Sequence, residues 1–332
     1  MKNRTFWVYA LGMALAFGAL ILMPEFTSAA VTDGLRLCAG VIVPSLFPFF
    51  VCTNLMTRLG LTDRLTRLLR PLGKRLFGSA ALTAPFVLGL LGGYPAGAKV
   101  TANLYRDGRL TREQVESALR FCNNSGPAFV FGVMGSRVFG SVRAGAALYL
   151  IHAASALLCG VLHKSRGTDD ASLPNVEVGR FSAAFTLSVR DAGETALQVG
   201  MFVTVFSVLS AFGRRLFCAV LPEALLPVFA GMLELSGGAQ VLSEAVLPLP
   251  FRFITASFLL GFGGLSVLAQ SRALLEQAGL GDCKLFPAKL RHGLFSALLA
   301  ASLFYPLLLL PVGTFCLLFL KLRGRNPRPA RV

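Results

Sequence analysis

The residues able to do chemistry in this chain are few, and they sit where apolar sequence is interrupted. In "LLGGYPAGAKV", residues 90–100, three glycines, a proline and a lysine follow ten mostly apolar residues. Pro95 lacks an N–H and clashes with a preceding helical turn, and it biases Tyr94 away from helical dihedrals, while Gly92, Gly93 and Gly97 tolerate strained backbone. The pattern predicts a helix split into two half-helices. The half starting near Ala96 would aim its N-terminal N–H groups, with about half a positive charge, at whatever occupies the break. An anion is the natural guest. Lys99 falls in the first turn of that half-helix, where a cation is unfavourable unless an anionic ligand or a carboxylate balances it. The alternative is a lysine that snorkels to an interface. A phosphate loop is excluded because the Walker spacing is missing.

A second interruption, "FCNNSGPAFVFG" from Phe121, places Asn123, Asn124 and Ser125 beside Gly126 and Pro127. Asparagine offers donors and an acceptor, which suits a hydrogen-bonding substrate at little charge cost; equally, these side chains could serve the backbone groups the proline frees. A third, "GMLELSGGAQVLSE", sets Glu234 among leucines with glycines following. An acid in an apolar run is costly unless paired, hydrated or protonated. It is expected to be a counter-ion for Lys99 or a proton-coupling group, or else to face water at a helix end.

No metal or catalytic constellation stands beside these. The seven cysteines occur singly, at Cys38, Cys52, Cys122, Cys159, Cys218, Cys283 and Cys316, with no CxxC pair, and read as small buried hydrophobes. His152, His163 and His292 lack metal-ligand spacing. No enzyme, no metal and no cofactor is predicted.

The elements that must position these residues are membrane helices. The 332-residue chain is 55% hydrophobic and only 14% charged, far more apolar than an ordinary globular domain. Windows free of Asp, Glu, Lys and Arg run over residues 5–24, 37–57, 80–98, 144–163, 195–213, 253–271 and 293–320, each near the roughly 20 residues a bilayer core requires. Residues 121–136 and 216–251 are shorter or interrupted candidates. The fold expected is all-α and polytopic, with about eight transmembrane segments, duplicated halves and broken helices, as in a transporter. The first window is followed by Ser28-Ala29-Ala30, which allows a cleaved signal peptide; its longer apolar run and the spans after it favour an uncleaved helix.

The formal net charge of +16 concentrates between the second and third windows and in the tail after Lys321. The positive-inside rule then puts both termini in the cytoplasm, and no nucleic-acid partner is needed. The partners expected are the lipid bilayer and a small anionic substrate, with a homo-oligomer or other membrane proteins as further partners. The chain divides into an N-terminal helix and loop (1–34), a first repeat (35–163), a polar linker (164–180), a second repeat (181–322) and a basic tail (323–332). The stretch from Arg180 is expected to begin as an interfacial helix.

Shifted by 171 positions, residues 92–125 overlay 263–296 with nine identities in 34, including the Gly92-Gly93 and Gly263-Gly264 pairs. Duplicated halves with interrupted apolar segments point to a transporter whose site lies where the breaks meet. The second copy has Ser266 for Pro95 and Gln270 for Lys99, so both are expected to contribute to the site with less charge.

"GLLGGYPAGAK", "FCNNSGPAFVFG", "LELSGG" and "GFGGLSVLAQ", in that order over about residues 40–310, resemble the YlbJ/SpoVV sporulation integral membrane proteins with their Gate, or nucleoside recognition, domain. That resemblance implies export of dipicolinic acid across the outer forespore membrane during sporulation. A nucleoside or nucleobase as cargo, and a non-transporting scaffold for spore maturation, are the alternatives.

Overall fold

In a chain this apolar, each segment at membrane depth has to satisfy its own backbone polar groups, which leaves helices as the available element. The computed structural model describes residues 2–165, 180–217 and 219–308, and these form helices and turns without a strand. α1 (Lys2–Leu22) leads to α2 (Pro24–Leu37), which runs through a π-helical turn (Cys38–Ile42) into α3 (Val43–Arg58). Two short helices, α4 (Leu61–Leu68) and α5 (Arg70–Phe77), precede α6 (Thr83–Gly92), α7 (Ala96–Arg106) and α8 (Arg112–Ala118). Then α9 (Pro127–Phe129) passes without interruption into a π-helical stretch (Val130–Val138), and α10 (Val142–Leu162) ends the first half. The second half contains α11 (Phe181–Phe217), α12 (Leu226–Leu233), α13 (Leu235–Glu244), α14 (Leu249–Phe262), α15 (Gly264–Glu276) and α16 (Leu285–Phe304).

Four stretches are long and apolar enough to cross a bilayer: Pro24–Arg58, Val142–Leu162, Phe181–Phe217 and Leu249–Glu276. A fifth arises if Arg70–Phe77 and Ala80–Gly92, bent by 97°, count as one span. Eight full spans are therefore not seen among the described residues, for a local reason in each case. The windows 80–98 and 121–136 are cut at Gly93–Pro95 and Gly126–Pro127, and 216–251 divides into short helices on either side of Glu234. The window 293–320 begins inside α16, and from residue 309 onward it lies outside the described residues, as do most of the linker, the basic tail, Cys218 and Cys316. The stretch expected to begin as an interfacial helix forms the start of α11, a single continuous element of 37 residues. At 1.5 Å per residue it is about 55 Å long, so it tilts or projects from a hydrocarbon core of about 30 Å.

The duplication is visible in the backbone. Gly93 and its counterpart at the 171-residue shift, Gly264, take φ of 74° and 87°, values open to glycine at no steric cost. Further on, Gly108 and Gly279 take φ of 68° and 70°. Around the first, Arg109 N–H donates to Leu104 O at 2.8 Å and Gly108 N–H to Tyr105 O at 3.0 Å; around the second, Leu280 N–H donates to Leu275 O at 2.9 Å and Gly279 N–H to Glu276 O at 3.0 Å. Both are Schellman closures, and they fall at the same register of the two repeats.

A capping box opens α8, with both halves made: Gln114 N–H donates to Thr111 Oγ1 at 3.3 Å, and Thr111 N–H to Gln114 Oε1 at 2.9 Å. Thr111→Ala should cost about 1 kcal/mol, read as a lowered melting temperature in detergent micelles. Ion pairs tie the elements together. Arg58 meets Asp191 at 2.5 Å and joins α3 to α11, while Arg109 and Asp63, both buried, join α4 to the turn after α7. Exposed Arg112 pairs with Asp282 across the corresponding turns of the repeats and holds the Asp282 carboxyl below the usual carboxylate range.

Candidate functional site

The four interruptions meet. A Cβ on Gly93 would lie 2.9 Å from Gly126 N, and one on Gly126 would lie 2.9 Å from Gly93 Cα. A Cβ on Gly263 would lie 3.0 Å from the Tyr94 ring, and one on Gly264 would lie 2.9 Å from Gly231 O and 3.3 Å from Leu235 N. Backbone approaches this close are what place the breaks of α6/α7, α9, α12/α13 and α14/α15 side by side, and glycine is the residue that permits them.

A cleft of about 450 Å³, mouth included, opens at this junction. Ile42 and Leu46, with Val199 and Val203 of α11, supply an apolar wall, and Ser45 lies among them. The remaining lining comes from helix beginnings. Tyr94 precedes α7, Ser125 and Gly126 precede α9, Glu234, Leu235 and Ser236 open α13, and Val267 and Gln270 sit in the first two turns of α15. Among the described residues, none comes from the last turns of α6, α12 or α14. Each helix N-terminus carries about half a positive charge and each C-terminus the opposite. The cleft therefore faces the N-terminal ends of four helices, one of which, that of α13, is met by the Glu234 side chain.

Glu234 is buried and extended in backbone, and its carboxylate caps α13: Oε1 accepts from Ser236 N–H at 3.1 Å and Oε2 from Gly237 N–H at 2.6 Å. An acid is stabilised there by the N-terminal N–H groups. It is thus a helix cap at the cleft, and the expected pairing with Lys99 is not made. Lys99 itself points elsewhere. Its ammonium donates to Thr195 Oγ1 at 2.6 Å and to Asp191 O at 3.2 Å, both on α11, and it does not line the cleft. The charge is met by α11 because that is where Lys99, the fourth residue of α7, faces.

The other expected site residues divide in the same way. Tyr94, Ser125, Gly126 and Gln270 line the cleft, as does Glu234. Tyr94 O–H donates to Leu260 O at 2.9 Å, and Ser125 Oγ to the same carbonyl at 3.2 Å. Gln270 Nε2 donates to Ser266 Oγ at 3.0 Å, so Ser266 supports a lining residue from behind. Asn123 and Asn124 are fully buried behind the lining; Asn123 Nδ2 donates to Ser271 Oγ at 2.7 Å and Asn124 Nδ2 to Phe121 O at 2.8 Å. Gly92 and Gly97 serve close packing, a Cβ on Gly97 falling 2.0 Å from Cys122 O. Pro95 follows Tyr94 through a cis peptide bond and stands at the head of α7.

Three residues not expected at the site lie beside it. Lys289 and His292 on α16 and His152 on α10 are buried against Asn123 and Ser125. The signal that could have found Lys289 is a lysine inside a predominantly apolar helix, which by default marks a functional position. Among the described residues no group of three or more His, Cys, Asp or Glu is arranged to hold a metal ion.

Comparison with known proteins adds two findings. A family model described as Gate, nucleoside recognition, matches residues 39–144, which include the breaks at Gly93–Pro95 and Ser125–Pro127. The chain is 29% identical over 327 residues to the sporulation integral membrane protein YlbJ of Bacillus subtilis (strain 168), covering 87% of this chain and 80% of that protein. No solved structure matches.

Proposed function

We propose that this chain, which is similar over 87% of its length to the sporulation integral membrane protein YlbJ and matches a Gate family model over residues 39–144, transports a small aromatic anion, dipicolinate foremost, across the outer forespore membrane. The observation that carries this reading is the orientation of the cleft toward four helix N-termini and away from the C-termini of the same broken helices. Broken helices that present positive ends to an anionic group near the bilayer middle are a recurring transporter device. Tyr94 and Phe129 offer aromatic surface, and Ser125 and Gln270 offer hydrogen bonds, within the same cleft. A flat ring bearing carboxylates fits that mixture. Passage needs no covalent chemistry, so the chain acts as a carrier and not as an enzyme.

A nucleoside or nucleobase is the second reading, favoured by the Glu234 carboxylate and the Gln270 amide facing one cleft, a pair that matches the donor and acceptor edge of a base. Purified protein in liposomes separates the two. Counterflow of labelled dipicolinate, blocked by unlabelled dipicolinate and little affected by uridine or adenosine, is the expected result. Counterflow of nucleoside alone would replace the anion by a base as cargo. Exchange of neither would leave a membrane scaffold.

A further inference from the structure

Behind the cleft lies a buried basic cluster that anion passage, as described above, leaves unused. Lys289 is 1% exposed, and His152 and His292 are as deeply buried. Lys289 Nζ donates to Asn123 O at 2.6 Å, stands 2.9 Å from His292 Nδ1, and lies 4.8 Å from the centre of the Tyr94 ring. The histidine rings are 4.7 Å apart. Among the described residues no carboxylate pairs with this lysine. The other titratable groups facing it are the Cys122 and Cys159 thiols, the Tyr94 phenol and His152, and none brings a fixed negative charge.

The hydrogen bonds assign the protons. His292 Nε2 is 3.3 Å from His152 O; a carbonyl only accepts, so Nε2 carries the hydrogen and Nδ1 offers its lone pair to Lys289. His152 Nε2 accepts from Ser125 N–H at 3.0 Å, which puts the His152 hydrogen on Nδ1, and that atom has no partner among the described residues. Lys289 is therefore surrounded by a carbonyl, an imidazole lone pair and a ring face. Each of these stabilises an ammonium, and none holds it as firmly as a carboxylate would. The amine and the ammonium are both admissible at such a place, which is the requirement for a group that gains and loses a proton in each cycle.

Two residues connect this cluster to the cleft. Tyr94 has Lys289 over its ring and also lines the cleft, and Ser125 lines the cleft while its N–H is bound to His152. We propose that Lys289, supported by His292 and His152, is the proton-binding site that couples proton movement to passage of the anion, an inference that rests on the transport reading above. An anion beside Tyr94 favours the ammonium behind it, and the ammonium favours an occupied cleft by the same factor, since such coupling is reciprocal. One proton converts the amine to the ammonium on the loading side and is released when the anion leaves. No electrons move.

The test uses the full chain in liposomes with the membrane potential clamped, labelled dipicolinate as probe and an imposed pH gradient. A carrier coupled to one proton accumulates its substrate about tenfold per pH unit. Wild type should do so, whereas Lys289→Gln, without the ammonium that favours an occupied cleft, should exchange dipicolinate only at a raised half-saturating concentration and lose the gradient-driven accumulation. Gradient-driven accumulation that survives in Lys289→Gln overturns the proposal. If Lys289→Gln loses counterflow as well, Lys289→Arg decides: counterflow without response to the gradient supports coupling. A retained response, or no counterflow in either variant, overturns it by making Lys289 a dispensable or a structural group. Wild type that exchanges dipicolinate but ignores the gradient overturns coupling and leaves transport standing. Wild type that exchanges nothing brings down the transport reading itself.

Discussion

Gly97→Val is expected to leave little assembled protein in the membrane. The non-helical segment through Cys122 and Asn123 lies in the fork between α6 and α7, against two glycines at once. A Cβ on Gly97 would stand 2.0 Å from Cys122 O and 2.6 Å from Cys122 C, and a Cβ on Gly89 would stand 1.7 Å from the same oxygen. These are backbone atoms, so no flexible side chain can swing aside. Overpacking of a core costs about 1–3 kcal/mol where rotamers can adjust; here the segment that carries Ser125 and Gly126 to the cleft has to move as a body, and a cost of about 3 kcal/mol or more follows. The yield of monodisperse protein on size exclusion and its melting temperature report this directly. Gly132→Ala is the matched control, because a Cβ there meets nothing within 4 Å, and it should behave as wild type. A normal melting curve for Gly97→Val would show that residues 121–126 do not sit in the fork.

What the sequence made legible is what short-range chemistry determines. Gly93, Gly108 and the Thr111/Gln114 pair each act within a few residues, and the break, the Schellman closure and the capping box all appear where their residue types place them. The convergence of the breaks was readable too, as a consequence of duplication, since Gly263 and Gly264 repeat the glycine pair of the first half. Side-chain direction was not readable in this way. Lys99 sits in the first turn of α7, as its position after Pro95 implies, yet whether that turn faces the cleft or α11 depends on how α7 is rotated against its neighbours. Thr195 and Asp191, roughly a hundred residues on, receive its ammonium. Lys289 was missed for the opposite reason. Spans sought as windows without charge begin at residue 293 and so discard the ionisable residues inside α16, although a buried lysine in such a helix is the more informative feature.

Glu234→Gln is expected to tighten dipicolinate and weaken any nucleoside. The Glu234 carboxylate lies in the cleft and holds the Ser236 and Gly237 N–H groups of α13, the groups an anionic substrate would otherwise meet. Glutamine keeps one acceptor oxygen, so part of the cap survives, while the negative charge is lost. At about 6 Å and an effective dielectric near 20, two unit charges interact by about 3 kcal/mol, so relieving the repulsion is worth up to about a hundredfold in affinity. A base that donates hydrogen bonds to the carboxylate would instead lose a charge-assisted bond and weaken by a comparable factor. Binding of both ligands to purified wild type and Glu234→Gln, followed by calorimetry or by ligand-induced shift of the melting temperature, reads the two signs side by side. Tighter dipicolinate binding in the variant supports a cleft whose helix ends select an anion against the protein's own acid. Weaker dipicolinate binding would mean that Glu234 assists the substrate, and the anion reading of the cleft would have to be given up.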